Sequence, residues 1–288
     1  MLNWSCDWPA PAKLNLFLHI TGRLPDGYHA IQTVFQLLDS GDLLDFAVRA
    51  DPRIELLCDQ PELGGPDNLV LKAARALQDA SGAQAGASIR LHKRLPAGGG
   101  VGGGSSDAAT ALRALNVLWG TGLGVEALAD IGRSLGADVP VFVKGHSAFA
   151  EGMGERLSPV SLPPRHYLVL HAGVPVSTSA LFGARELTRD STPITMVDFT
   201  EAGGVNVFEP LVRDRYPQID EGMRWLDQQG ALDAARLTGT GGCFFAPFSD
   251  AESPRAILSR APEPLAGFVA AGRDRSPVID RLELHGVR

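Results

Sequence analysis

The chain has 288 residues, 44% of them hydrophobic and 20% charged, which is the make-up of a soluble globular protein of one large domain or two modest ones. A formal net charge of −7 leaves no basic surplus to displace counterions and argues against general nucleic-acid binding. Cys6, Cys58 and Cys243 lie far apart without a CxxC pair, so no zinc motif is present and a reducing compartment is implied. No basic start runs into an apolar stretch and no apolar stretch is long enough to span a bilayer, so the expected home is the cytoplasm.

In chain order, Lys13 to Ile20 reads as a strand with Leu14, Leu16, Leu18 and Ile20 on one face and Lys13 and Asn15 together on the other. That polar pair fits either a solvated face or a site. Pro25-Asp26-Gly27 is a turn, followed at once by Tyr28 and His29. Strand patterns from Gln32 to Leu38, Leu43 to Val48 and Arg53 to Cys58 predict a β-rich start with antiparallel connections. Pro66-Asp67-Asn68 opens a helix through Leu69, Ala73, Ala76 and Ala80 that stops near Gly82.

Ala87, Ile89 and Leu91 alternate with polar residues, so a strand leads into Pro96-Ala97-Gly98-Gly99-Gly100-Val101-Gly102-Gly103-Gly104-Ser105-Ser106. A helix from Asp107 to Trp119, stopped by Gly120, follows directly. A glycine loop between a strand and a helix start is an anion site, because its backbone can approach a ligand closely and the first N–H groups of the helix are unpaired. A flexible linker is normally longer and flanked by polar residues. No Gly-Lys-Ser/Thr follows, so this is not a Walker A loop.

A helix is expected from Val125 to Leu135, closed by Gly136. In Gly136-Ala137-Asp138-Val139-Pro140, Asp138 is placed either to cap the apolar run Val141-Phe142-Val143 or to serve as a catalytic carboxylate. Ser147 to Glu151 reads as a strand, and the polar, proline-rich stretch Ser158 to Arg165 as the domain boundary. A strand at Tyr167 to His171, a loop with Ser177, Thr178 and Ser179, and a helix near Leu181 to Leu187 follow. Asp190 to Gly204 lacks clear periodicity, and the sequence does not give how far it moves. Helices at Val207 to Asp214 and Gln218 to Gln229 precede the cluster Leu237-Thr238-Gly239-Thr240-Gly241-Gly242-Cys243, which fits a hairpin or a second ligand contact. A short strand and a helix near Pro254 to Arg260 follow.

Taken together, Pro11-Ala12-Lys13-Leu14-Asn15-Leu16, Asp26-Gly27-Tyr28-His29, the loop Pro96 to Ser106, Gly136 to Pro140 and Leu237 to Gly242 occur in the order of a known family. Over about Pro9 to Pro277 the chain resembles the 4-diphosphocytidyl-2-C-methyl-D-erythritol kinases, within the superfamily of galactokinase, homoserine kinase, mevalonate kinase and phosphomevalonate kinase (the GHMP kinases). Thr238 and Thr240 stand where much of that superfamily has serine, and both still offer a hydroxyl.

The resemblance implies an α+β protein of two domains, residues 1–157 binding nucleotide and 158–288 binding substrate, with the active site in the cleft between them. It implies ATP and Mg²⁺, with Pro96 to Ser106 around the phosphates and the Ser106 hydroxyl near the metal. Asp138 would take the proton of the substrate's 2-hydroxyl, beside Lys13, while Asn15 would position the methylerythritol portion. Tyr28, His29 and Phe182 would form a cytidine pocket with Thr178 nearby, Gly239, Thr240 and Gly241 would line the floor, and Asn68 and Lys93 are candidates for the adenosine pocket. The product would feed the non-mevalonate route to isoprenoid precursors. The implied partner is a small molecule, with no nucleic acid and no membrane, and the chain is expected as a monomer or weak homodimer. The alternatives are another GHMP kinase, of homoserine or mevalonate type, or a non-catalytic nucleotide sensor. Tyr28, His29 and Phe182 argue against the first, and the presence of both Lys13 and Asp138 argues against the second.

Overall fold

Two long strands carry the first half of the chain. The computed structural model describes residues 3–25 and 27–286, so Asp26 of the predicted turn lies outside the described residues. Strand β1 (Trp4–Arg23) pairs antiparallel with β2 (His29–Arg49), and β2 unites the two stretches read as separate strands. Gly41, which looks like a turn residue, is instead a point of close approach: it faces Pro11 of β1, and a Cβ there would lie 2.0 Å from the Ala10 carbonyl oxygen.

The remaining elements in order are β3 (Ile54–Cys58), α1 (Leu69–Ser81), β4 (Gly86–His92), α2 (Gly103–Leu118), α3 (Val125–Leu135), α4 (Val139–Lys144), β5 (Ala148–Glu151), β6 (Arg156–Pro159) and β7 (His166–His171). The second half adds α5 (Thr178–Phe182), α6 (Met196–Ala202), α7 (Glu209–Arg215), α8 (Pro217–Asp227), β8 (Arg236–Leu237), β9 (Cys243–Phe248), α9 (Glu252–Leu258), β10 (Ala266–Arg273) and α10 (Pro277–Glu283). The sheet runs β3-β4-β2-β10-β7-β9-β8, with β1 and β5 also paired to β2, and β6 to β5. Strands β3 and β4 are parallel, against the antiparallel expectation, because α1 lies between them in sequence and supplies the crossover that a parallel pair requires.

Helices α1 to α4 cover the first half of the sheet around Trp8, Phe35, Phe46, Ile89, Leu112 and Phe142. A second core, around Leu168, Phe208, Met223 and Phe244, is built from the later elements together with Leu18 and Ile20 of β1. The halves are not joined at one crossing. Strand β10 pairs with β2 at Leu37 and Leu38, and α10 returns Val278 and Leu282 to the first core.

Two further readings change. The helix near Leu181 shrinks to α5, because the chain turns at Gly183 and packs Ala184 and Leu187 as loop residues. The segment 190–204 contains α6, closed by a capping box in which Thr195 and Asp198 satisfy each other's backbone N–H. Phe199 of α6 packs on Phe17 with ring centroids 5.3 Å apart, which ties the segment to β1. Strand β10 and helix α10 had no reading in the sequence.

Candidate functional site

The register of β1 shifts between Pro11 and Lys13 and again between Asn15 and Leu18. Pro11 has no N–H to donate, and the irregularity turns the next backbone donors away from β2. The Lys13 N–H reaches the Val101 carbonyl at 2.9 Å, and the Asn15 N–H reaches Thr238 Oγ1 at 3.0 Å. One irregular stretch of strand thereby holds both the glycine loop and the late glycine cluster.

The two glycine segments also bind each other: Cys243 N–H donates to Gly99 O at 3.0 Å, and Thr238 Oγ1 to Gly100 O at 3.3 Å. Glycine is required at Gly100, where φ is +77° and a Cβ would stand 2.3 Å from the Thr238 carbonyl oxygen. Val101, the one non-glycine between Gly98 and Gly104, is buried with Leu95, Val169 and Phe245. Burying that side chain stabilises the loop by roughly 1.5–2 kcal/mol, so the segment is pinned at its centre. Helix α2 starts at Gly103, four positions before the predicted Asp107, because Gly102 at φ +77° sets the N-cap. No side chain caps it, so its first N–H groups remain available to an anion.

A cavity of about 1190 Å³ opens in front of this helix start. Of the predicted residues, Lys13, Asn15, Tyr28, His29, Asn68, Lys93, Pro96, Ala97, Gly98, Gly99, Gly100, Gly102, Gly103, Gly104, Ser105, Asp138, Thr178, Phe182, Gly239 and Thr240 line it. Val101, Ser106 and Gly241 do not. Val101 is a core residue, and Gly241 backs onto Val176, Val212 and Leu237. The Ser106 hydroxyl is fully buried and has no hydrogen-bond partner among the described residues. Ser105, one residue earlier, faces the cavity, where a Cβ at Gly136 would lie 3.6 Å from its Oγ.

The capping role for Asp138 is absent. Asp138 occupies the N-cap of α4, yet its side chain makes no capping bond there. Its Oδ2 lies 3.2 Å from Lys13 Nζ instead, with the lysine side chain 3% exposed and the aspartate 33%. Lys13 Nζ also donates to Asn15 Oδ1 at 2.5 Å and sits 5.3 Å from the centre of the Phe35 ring. The Asn15 amide donates in turn to Thr33 Oγ1 at 2.9 Å. Both ends of Asn15 are therefore engaged in fixing Lys13. The result is a buried ammonium holding a carboxylate that faces the cavity.

At another wall, Lys93 forms a buried ion pair with Asp42 and another with Asp107, the second at 2.9 Å. Asp42 Oδ1 also accepts the N–H groups of Arg94 and Leu95, which anchors the chain entering the glycine loop. Burial opposes the charge on Lys93, but the two carboxylates outweigh it and raise the ammonium. Burial pushes Asp107 up to about 7, against the pull of Lys93, and its Oδ1 has no hydrogen-bond partner among the described residues. Asn68 caps α1 through Val70 N–H at 2.8 Å, with its amide on Leu63 O at 2.7 Å. Neither Asp42 nor Asp107 was singled out in sequence; Asp107 directly follows the glycine motif, whereas Asp42 carries no local signal.

On the far side, the His29 and Phe182 rings lie 5.1 Å apart at 33°, and Phe182 packs edge-on to Phe208 at 4.8 Å. Tyr28 is largely exposed. The Thr178 and Thr240 hydroxyls share a 2.7 Å hydrogen bond. Burial, followed by Arg189 and Arg23, lowers the His29 imidazolium below its ordinary range. Among the described residues no group of three His, Cys, Asp or Glu side chains could hold a metal ion, and no helix is long and apolar enough to cross a membrane.

This arrangement of an uncapped helix start, a glycine cradle and a lysine-held carboxylate defines a class, the GHMP kinases. Residues 68–146 match the model for the GHMP kinases N terminal domain, and residues 195–267 that for the GHMP kinases C terminal. The 4-diphosphocytidyl-2-C-methyl-D-erythritol kinase of Halorhodospira halophila is 52% identical over 281 residues, covering 96% of each chain. A crystal structure of a 4-(cytidine 5'-diphospho)-2C-methyl-D-erythritol kinase superposes with a TM-score of 0.78 at 29% identity, covering 94% of this chain and 99% of that one. Homoserine kinase from Cytophaga hutchinsonii, at 17% identity and a TM-score of 0.69 over 96% of each chain, shares the fold. The chain belongs to the 4-diphosphocytidyl-2-C-methyl-D-erythritol kinase family.

Proposed function

We propose that this kinase transfers the γ-phosphoryl group of ATP to the 2-hydroxyl of 4-diphosphocytidyl-2-C-methyl-D-erythritol, giving the 2-phosphate and ADP in the non-mevalonate route to isoprenoid precursors. The observation that carries it is the Lys13–Asp138 pair facing the same cavity as the uncapped start of α2. Phosphoryl transfer needs phosphate positioning, charge neutralisation and a group to orient the nucleophile. The backbone N–H groups of the glycine loop and of α2 receive the phosphates. Asp138 aligns the hydroxyl and takes its proton as the new O–P bond forms and the bond from the γ-phosphorus to the β-phosphate oxygen breaks. Lys13 stabilises the charge that develops there.

His29 and Phe182 face the cytosine base, with Tyr28 at the mouth, Thr178, Gly239 and Thr240 on the floor, and Asn68 and Lys93 toward the adenosine. Magnesium, when bound, neutralises phosphate charge. Hard oxygen donors suit it, and the Ser105 hydroxyl, which faces the cavity, would be its protein ligand in place of the buried Ser106, with the phosphates supplying the rest. We read residues 1–157 as the nucleotide unit and 158–288 as the substrate unit of a cytoplasmic monomer or weak homodimer that binds neither nucleic acid nor membrane. The test is ATP-dependent phosphorylation of the cytidylyl substrate, with homoserine and phosphomevalonate in parallel. Turnover of the cytidylyl substrate alone is expected. Turnover of another acceptor would refute the base pocket, and nucleotide binding without any turnover would refute the kinase reading.

A further inference from the structure

Arg189 lies between α5 and α6 in a stretch without regular structure, yet all three of its guanidinium nitrogens donate hydrogen bonds. Nη2 donates to the carbonyls of Phe182 at 2.8 Å and Ala184 at 2.7 Å, and Nη1 to that of Leu187 at 3.0 Å. Nε donates to His29 Nε2 at 3.3 Å. One planar group thus ties the turn that carries Phe182 to the imidazole of His29.

A guanidinium offers donors and no acceptor. His29 Nε2 therefore presents its lone pair to Arg189, and a neutral ring in that state carries its proton on Nδ1. No group among the described residues is hydrogen-bonded to Nδ1, and His29 lines the cavity.

We propose that Arg189 is a positioning residue that sets His29 as a hydrogen-bond donor through Nδ1 and so selects a cytosine base over a uracil base. The proposal rests on the reading of His29 and Phe182 as the base pocket. Cytosine carries an acceptor at N3, where uracil carries an N–H. A donor at Nδ1 pairs with the first and opposes the second, and the opposite tautomer would reverse that preference. Among the described residues, burial and then the charged groups Arg189 and Arg23, the latter paired with His29 across the β1–β2 hairpin, act on the ring. All three disfavour the imidazolium, so the ring remains a neutral, single-tautomer donor.

The test is ¹⁵N NMR of the histidine side chains in the full chain, with the His29 signal assigned by H29Q, beside kcat/KM for the cytidylyl substrate and its uridylyl analogue. In the wild type the proton is expected on Nδ1. In R189M it moves toward Nε2, and the cytidine-to-uridine ratio falls roughly tenfold while KM for ATP holds. A wild-type His29 protonated on Nε2 overturns the proposal, and this measurement needs no variant at residue 189. A shifted tautomer in R189M with an unchanged ratio overturns the selection role. If H29Q leaves KM for the cytidylyl substrate unchanged, the base-pocket reading fails and selection with it, whatever the tautomer in R189M.

Discussion

Replacing Asp138 by asparagine keeps the shape of the side chain and removes its charge and its capacity to accept a proton. At 3.2 Å from Lys13 Nζ, the carboxylate and ammonium attract by roughly 5 kcal/mol at an effective dielectric of about 20. The aspartate is 33% exposed, so water screens much of that figure and the net loss of stability is about 1–2 kcal/mol. No helix cap is lost, because Asp138 makes none, and Lys13 keeps its bond to Asn15. The folded protein therefore survives the change, and its chemistry does not: removal of a group that accepts the hydroxyl proton lowers kcat by roughly 10²–10⁴-fold, or about 3–5 kcal/mol of barrier. Steady-state kinetics with the cytidylyl substrate, binding of a non-hydrolysable ATP analogue, and a thermal melt separate the effects. A kcat within about threefold of wild type, or a loss of nucleotide affinity in step with the loss of rate, would refute the assignment.

Gly100→Ala places a methyl group against the Thr238 carbonyl at a positive φ, so a stability loss of about 2–4 kcal/mol and a raised KM for ATP are expected; a melt unchanged from wild type would show that the two glycine segments are not in register. Phe182→Ala removes one face of the base pocket and is expected to raise KM for the cytidylyl substrate roughly 5- to 100-fold with KM for ATP unchanged; equal effects on both would count against the pocket. For Asp107, raised from 3.8 to about 7, the folded state favours the protonated form, so its contribution is fully present below about pH 4 and is lost as pH rises through 7. Wild-type stability relative to D107N is therefore expected to fall between pH 4 and 7 in denaturant titrations; parallel profiles would contradict the buried placement of Asp107.

Much of the fold was legible because local patterns report backbone conformation. Alternation marked the strands, and Asn68, Gly82 and Gly136 marked helix ends at or within a residue of where they fall. The misses have particular causes. Strand β2 was read as two strands on either side of Gly41, a residue that close approach to Ala10 and a turn both select. Helix α6 was legible in principle, since Thr195-x-x-Asp198 is a capping signal, but Met196 and Phe199 make too short an apolar stripe to mark a helix by periodicity. Strand β10 lies between two proline-bearing stretches, and its value there comes from pairing with β7 and β2, which are distant in sequence.

The sequence by itself determined the glycine loop between strand and helix, the elements around it, and the family to which they belong. It did so because backbone conformation and motif order are written in neighbouring residues. Which side chains meet was decided by tertiary closure. Lys13 and Asp138 stand 125 positions apart, and whether the aspartate caps its helix or faces a lysine depends on how β1 is bent by its irregular register. The same holds for Ser105 against Ser106, of which one lines the cavity and the other is buried, and for Asp42 and Arg189, whose partners lie far along the chain. A charge or a hydroxyl acquires its role from what long-range packing places beside it, and no local pattern encodes that choice.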